Sequence, residues 1–300
     1  MRIILIGIVF FSKTAFSQFN YFSSFNSYDS TSINFTTKDI SLKSLVITQA
    51  SVYSLALIGF NELWYKNYDK SSFHFVNDNL YWMQMDKMGH MTTSYYGGVV
   101  GIKLYQSTGI KSNKAIWIGG LNGTIFNTTI EILDGFSTNW GASFGDILAN
   151  SLGSALAISQ ELYWQEQRVQ LKYSYSRSDI SKNSVELFGN SFIQRSLKDY
   201  NGQTYWLSCN LNSFYNKKTN IPDWLNIAVG YSANGMVAGS NLTNDNRKRQ
   251  YLLSFDIDLT KVKTKNKFLN ALGHTFGFIK FPFPALEFSN SKFKIHPIYF

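Results

Sequence analysis

Ionisable and amide side chains recur at helical spacing inside segments that otherwise consist of apolar and small residues. The pairs are Asp86 with His90, Glu131 with Asp134, and Asp146 with Asn150, separated by four, three and four positions. Each pair therefore shares one face of a helix. A carboxylate beside an imidazole can orient the ring for acid–base chemistry or supply two ligands to a metal ion. Because burial of such groups is costly unless they are paired, we predict that these six residues form one polar cluster.

Two interpretations of this cluster remain open at the level of sequence. It is either a functional pocket with a raised carboxylate pKa or a structural hydrogen-bond network. In the network, Asp86 pairs with Lys87 or Lys103, and Asp146 occupies a helix N-terminus where a carboxylate is favoured. Metal binding stays unknown because only one histidine and no thiol contribute to the cluster. His74, which precedes the second helical segment, is assigned to packing or capping.

The sequence contains no phosphate-binding loop, serine nucleophile elbow, zinc-ligand spacing or dinucleotide fingerprint. No catalytic residue is therefore assigned, and no cofactor or nucleotide is predicted. His274 and His296 lie in the C-terminal half without an acidic residue close to them in sequence.

Four helical segments are predicted to position the polar residues. They are residues 42–63, 81–106, 111–134 and 142–164, within a module that spans 41–164. Small residues at four-residue spacing, such as Gly97 with Gly101 and Ala149 with Gly153, allow close helix packing of the kind common in membrane bundles. None of the four segments gives eighteen uninterrupted apolar residues. A four-helix, membrane-protein-like bundle, either buried in protein or shallow in a membrane, accounts for both features.

After Gln165 the hydrophobic period changes from about 3.6 to 2, which is typical of strands with one apolar face. Four strands are predicted from residues 169–175, 204–211, 225–232 and 251–259, with short helices at 192–198 and 267–278 and an extended tail from Pro282 to Phe300. The fold class is therefore α+β, with the helical bundle followed by an antiparallel β meander over 165–300. The meander is expected to pack on the helical half or on a membrane surface.

The N-terminus has the composition of an export signal. Residues 1–17 combine Arg2, the apolar run Ile3 to Phe11 and the small-x-small site Ala15-Phe16-Ser17. Residues 18–40 are predicted to be a poorly ordered leader. Cleavage would remove two positive charges and lower the formal net charge from +9 to +7. Cys209 is the single cysteine, so no internal disulfide is expected. It lies far from the cleavage site, so no lipid anchor is expected at that site.

A set of motifs in residues 41–164 resembles the YfiM-like family of periplasmic proteins of unknown function. The motifs are Trp64-Tyr65, Phe73-His74-Phe75, Asp86-Lys87-x-x-His90, Glu131-x-x-Asp134 and Gly145-Asp146-x-x-Ala149-Asn150-x-x-Gly153. The Asp-Lys-x-x-His start and the late Asp-x-x-x-Asn are also similar, more distantly, to VanZ-like membrane proteins. The resemblance implies a compact helical envelope module and assigns no reaction.

These observations favour an exported cell-envelope protein. The composition is typical of this class, because aromatic residues make up 17% of the chain and charged residues only 16%. We expect it to lie on the periplasmic side of the outer membrane and to bind membrane lipid or an envelope protein. Export makes nucleic acid an unsuitable partner. The alternative is an envelope hydrolase that acts on lipid or cell-wall material through a buried Asp/His/Glu cluster, so whether the protein is an enzyme stays open.

Overall fold

The computed structural model is an α+β protein in which helices precede a six-stranded antiparallel sheet. It describes residues 40–66, 69–183, 188, 191–215, 220–240, 246–262 and 264–300. The predicted signal peptide, residues 1–17, and all but the last residue of the predicted leader lie outside the described residues.

Five α-helices occupy the segment predicted to be helical. They are α1 (Leu42–Phe60), α2 (Met85–Gln106), α3 (Ser112–Gly120), α4 (Asn122–Asp134) and α5 (Phe144–Trp164). A π-helical turn, Asn61–Tyr65, continues α1, and a short turn, Tyr81–Gln84, precedes α2. Strands β1 (Phe75–Val76) and β2 (Ala142–Ser143) form a small parallel pair.

The predicted third helix, 111–134, is wrong in one respect, because it is divided into α3 and α4 at Leu121. The backbone of Leu121 has a ψ of −7°, which departs from α-helical geometry and ends α3. The predicted start of the fourth helix at Ala142 is also early. The first helical residue is Phe144, because the Ser143 side chain accepts the Asp146 N–H and caps α5.

The chain divides into two compact units. The described part of unit 1 comprises residues up to 77, 93–165 and 264–272, and unit 2 comprises 78–92, 166–263 and 273–300. Helix α2 therefore contributes its first eight residues to unit 2 and its remaining residues to unit 1.

Within unit 1, glycines allow α2 to approach α3 and α4 closely. A Cβ placed on Gly97 would lie 2.7 Å from the Cα of Gly123, and one placed on Gly98 would lie 2.7 Å from the carbonyl oxygen of Gly120. Both positions exclude any larger side chain because the obstructing atoms are backbone. The small residues noted in the sequence therefore line direct helix contacts.

Helix α1 is the one described helix that is long and apolar enough to cross a membrane by length and composition. Only 6% of its most apolar eighteen-residue window is buried.

Unit 2 is built on an antiparallel sheet with strand order β3-β4-β5-β6-β7-β8. The strands are β3 (Val169–Tyr175), β4 (Gln203–Asn210), β5 (Leu225–Asn234), β6 (Lys248–Ile257), β7 (Phe283–Ser289) and β8 (Lys292–Tyr299). The four predicted strands are confirmed, whereas the tail predicted as extended chain forms the hairpin β7–β8. Asn290 and Ser291 turn this hairpin with φ values of 49° and 59°, as two-residue hairpins require.

Short helices lie between the strands along the chain. They are α6 (Asp179–Asn183), α7 (Phe192–Lys198) and α8 (Lys267–Thr275). The prediction for α7 is confirmed, and α8 ends three residues before its predicted end. At the β3 edge, Tyr173 makes a parallel bridge with Ile279, so the segment before β7 extends the hydrogen bonding beyond β3.

The alternating pattern of the strands places its polar residues inside. Lys172, Ser208, Asn226 and Asp256 are buried, whereas Leu253 on the opposite face is exposed. The apolar face predicted for each strand therefore exists, but much of it is turned away from the protein interior.

Candidate functional site

The segment before α2 has an uncommon backbone. Trp82, Met83 and Gln84 have φ values of 46°, 50° and 64°, in the left-handed region that disfavours side chains. Contacts within unit 2 hold this turn in place. The Trp82 N–H donates to the Gly239 carbonyl, and the Tyr231 hydroxyl donates to the Met83 carbonyl at 2.5 Å. Consecutive left-handed residues are strained, and such strain is concentrated at functional sites.

Asp86 lies two residues after this turn and is the centre of a polar group within unit 2. The Tyr200 hydroxyl donates to Asp86 Oδ1 at 2.8 Å, and His90 Nε2 lies 3.9 Å from the same oxygen. Lys87 Nζ lies 3.4 Å from Asp86 Oδ2 and 2.6 Å from Asp78 Oδ2. The side chains of His90 and Asp86 are 18% and 25% exposed, so water and small solutes can reach them.

Aromatic side chains of unit 2 pack against Met85, which lies between the left-handed turn and Asp86. Met85 is completely buried against Tyr205 and Met236, with Tyr173, Tyr200 and Tyr231 packed around them. A Cβ on Gly89 would lie 3.0 Å from the Tyr205 hydroxyl, so glycine lets this ring lie close to α2. Burial raises the pKa of Tyr205, and the nearby Asp86 charge raises it further. Tyr205 therefore stays a neutral donor, and its hydroxyl bonds to Gln203 Oε1 at 2.9 Å.

A second polar group lies inside unit 1, between helices. Ser94 on α2 donates to Asn150 Oδ1 at 3.1 Å, and Asn127 on α4 donates to Ser94 at 2.9 Å. Thr124 on α4 donates to the Asn150 carbonyl at 2.8 Å and to Ser154 at 2.9 Å. Asn150 is fully buried, and these bonds tie three helices together across the interior.

Glu131 and Asp146 lie beside the start of α5 in unit 1. Glu131 is 2% exposed, and its carboxylate accepts the Ser143 N–H at 3.0 Å. Asp146 is also buried and lies in the first turn of α5, where its backbone N–H donates to Ser143 Oγ. Two carboxylates near a helix N-terminus are favoured by the helix dipole. Stabilising the start of α5 is the structural role that the sequence suggested for Asp146.

Asp134 accepts a hydrogen bond from Tyr65 at 2.7 Å. Burial raises the pKa of Tyr65, and the negative charge of Asp134 adds to this shift. Tyr65 and its neighbours line a cavity of about 260 Å³ in unit 1. The lining is completed by Asn61, Asp69, Lys70, Ser71, Leu133, Phe136 and Ser137.

The six predicted site residues thus take defined positions within their own units. Asp86 and His90 lie together in unit 2, Glu131 and Asp146 share Ser143 in unit 1, and Asn150 joins the interhelical network. Asp86 and His90 could offer one oxygen and one nitrogen donor to a cation. That the six residues form a single cluster stays a prediction.

His74 makes the structural contacts expected of it. Its Nε2 atom lies 2.8 Å from the Trp140 carbonyl oxygen, and its Nδ1 atom lies 3.2 Å from the Ser72 carbonyl oxygen.

Sequence reasoning missed the buried charges of the sheet. Lys172 and Asp256, both fully buried, form an ion pair at 2.7 Å. Lys280 is 1% exposed and lies 4.6 Å from the centre of the Trp206 ring. The charged residues of each strand alternate with the apolar ones, and that alternation was the available signal.

A histidine–carboxylate pair was also missed. His296 Nε2 lies 2.6 Å from Glu287 Oε2, and Gln250 donates to the other carboxylate oxygen at 2.8 Å. Burial alone would raise the pKa of Glu287, but the bonds from Gln250 and His296 outweigh burial and lower it. The two partners are nine residues apart and meet only because the β7–β8 hairpin brings them together.

Residues 74–161 match the model of a family described as "Predicted periplasmic lipoprotein (DUF2279)". The matched region contains all six predicted site residues and less than a third of the chain. No curated protein and no solved structure matches the chain. The match supports similarity to an uncharacterised periplasmic family and fits an exported envelope protein of unknown function. The finer resemblances, YfiM-like and VanZ-like, are not confirmed by it.

Proposed function

We propose that this chain is an exported, non-enzymatic envelope protein that associates with the outer membrane from its periplasmic side. In this role it binds lipid or an envelope protein. The helical segment and the β segment act as two modules, and the helical one is a membrane-type bundle.

The observation that carries the proposal is the polarity of unit 1. Its interior contains the Asn127, Asn150 and Ser154 side chains, whereas its surface carries large apolar ones. On α5, Phe144, Leu148 and Leu152 are all more than half exposed and follow one another at four-residue spacing. Soluble helices bury such a stripe and expose their polar residues. A polar interior with small-residue helix contacts and an apolar exterior is the arrangement of helices surrounded by lipid.

Helix α1 supports the same proposal. It is long and apolar enough to cross a membrane by length and composition, and it is largely exposed. Its exposed side chains include Val46, Ile47, Leu55 and Ile58. Exposed apolar area on this scale marks an interaction surface.

A vesicle flotation assay tests the proposal. The double variant L148E/L152E places two charges on the α5 stripe, where hydrocarbon contact makes a charge cost several kcal/mol. We expect the vesicle-bound fraction to fall by about tenfold or more, since about 1.4 kcal/mol already corresponds to tenfold. The control S112E/N113E adds the same charge at the exposed start of α3, where acidic residues are tolerated. Equal binding of both variants and the unmodified chain, or no binding by any of them, would contradict the proposal.

An envelope hydrolase is the second candidate, and a specific observation favours it. The partly exposed Asp86–His90 pair directly follows three strained left-handed residues. The H90A variant separates the two roles when unfolding is measured beside hydrolysis of native envelope lipid and cell wall. Loss of hydrolysis with unchanged stability would establish the enzyme, whereas no hydrolysis by the unmodified chain would dismiss it.

A further inference from the structure

The outer face of the sheet is arranged in rows that run across the strands. One row consists of Leu207, Val229, Leu253, Leu286 and Ile295, each paired in register with the next. All five are aliphatic, and their exposed fractions run from 38% to 76%. An aliphatic row five strands wide is therefore open to the surroundings.

The neighbouring row, two residues along each strand, is entirely aromatic. It consists of Tyr205, Tyr231, Tyr251, Phe288 and Phe293, again paired in register. The turn that precedes α2 packs over Tyr205 and Tyr231 in the same unit. Tyr251, Phe288 and Phe293 stay exposed. On the other side of the aliphatic row, Ile227 pairs with the exposed Phe255.

Cationic side chains lie just beyond the aromatic row. Lys248 opens β6 and Lys292 opens β8, three residues and one residue beyond the aromatic row along their strands. Lys292 is exposed, whereas Lys294 lies between the two rows and, by strand alternation, on the opposite face from Phe293 and Ile295. Along the strand axis the order is therefore cationic, aromatic, aliphatic and then apolar with Phe255.

The opposite face of the same strands is the inner face of the sheet. It buries the Lys172–Asp256 ion pair, and the Ser208 hydroxyl donates to Asp256 at 2.7 Å. Asn226 donates to Ser208 at 2.9 Å on the same face. These satisfied polar groups belong inside, so the apolar rows are the face directed outward in the folded protein.

The order of layers identifies the occupant. A bilayer presents anionic headgroups, then an interface that favours aromatic rings, and then hydrocarbon. Rows two residues apart are about 7 Å apart along a strand, so three rows cover about 14 Å. One leaflet of hydrocarbon is about 15 Å deep, half of a core about 30 Å thick. A protein partner would require no such layering along the strand axis.

We propose that the outer face of β5–β8 is inserted into one leaflet of a bilayer. The row from Val229 to Ile295 contacts acyl chains, the aromatic row lies at the interface, and Lys292 at the strand end contacts anionic headgroups. This inference rests on the proposed membrane association and assigns the lipid-contacting surface of unit 2.

Depth measurement with a fluorescent label tests the inference. In a C209S background, single cysteines replace Leu253, Ile295 or the exposed Ser176, and each carries nitrobenzoxadiazole. Ser176 follows β3 at the end of the sheet where Lys248 lies, on the headgroup side of the aromatic row. The vesicles contain phosphatidylethanolamine and phosphatidylglycerol, with a nitroxide on the acyl chain. The labels at 253 and 295 should shift to the blue on binding and lose about half of their intensity to the nitroxide, which lies within the hydrocarbon core. The label at 176 should change little.

The outcomes separate this inference from the function proposed above. Flotation of the full chain with unquenched labels at 253 and 295 would overturn the inference and leave the membrane association standing. Failure of the chain to float would overturn both. A blue shift without vesicles that grows with protein concentration would assign the face to contact between two copies instead.

Discussion

At the scale of single residues, the chain keeps its charged groups in defined, hydrogen-bonded positions. Asp86 is held by Tyr200, Lys87 and His90, and Asp256 is held by Lys172 and Ser208. The sequence predicted that Asp86 and His90 share a helix face, but it did not predict the contact with Tyr200, which is 114 positions away. It did not predict the second group, because Lys172 and Asp256 are 84 positions apart and meet only through the pairing of intervening strands.

Lys280 gives a pH-dependent prediction. Burial lowers its pKa from 10.5 to about 8, with Asp256 opposing the shift and Lys172 adding to it. Between about pH 8 and 10.5 the unfolded chain therefore binds more protons at this residue than the folded chain does. The contribution of Lys280 to stability thus rises with pH through this window, by up to about 3 kcal/mol.

The check is the free energy of unfolding in detergent, measured at several pH values for the unmodified chain and for K280M. The difference between the two should change with pH between about 8 and 10.5. Parallel curves over this window would show that Lys280 keeps an ordinary pKa. Taking the difference between the two curves removes the contributions that other lysines and the tyrosines make to the pH dependence of stability.

At the scale of elements, periodicity predicted the strands well and the helix boundaries less well. β3 and β5 were found because period-2 alternation is clear in Val169–Tyr175 and Leu225–Asn234. The β7–β8 hairpin was missed because Asn290-Ser291 is a weaker turn signal than Asn-Gly. The break at Leu121 was missed because the surrounding glycines were interpreted only as packing residues, and the sequence carries no proline there.

The helix contacts of unit 1 give a prediction about glycine. G97A places a methyl group against the backbone of Gly123, so the helices must separate. We expect a loss of about 1–3 kcal/mol in the free energy of unfolding, the usual cost of overpacking. The matched control is G59A on α1, since nothing lies within 4 Å of a Cβ there.

For the control, alanine has the higher helix propensity, so G59A should be neutral or stabilising by up to about 1 kcal/mol. Thermal or denaturant unfolding monitored by circular dichroism measures both variants. If G97A and G59A have equal stability, the close approach of α2 and α4 at this glycine is wrong.

At the scale of the whole molecule, both units share one property: each buries polar side chains and exposes apolar ones. Unit 1 does so with Asn150 inside and Leu148 outside, and unit 2 does so with Asp256 inside and Leu253 outside. The sequence predicted the α+β class and the two kinds of element. It could not predict that these apolar faces point outward, because the hydrophobic period identifies an apolar face without stating whether that face meets protein or lipid.

Fractionation of the native cell envelope tests the central claim most directly. Membranes are separated by density and then washed with high salt and alkaline carbonate, which remove proteins held only by charge. We expect the chain to stay in the outer-membrane fraction after both washes and to be released by detergent. Recovery of the chain only in a soluble periplasmic pool, or its complete release by salt, would contradict the account.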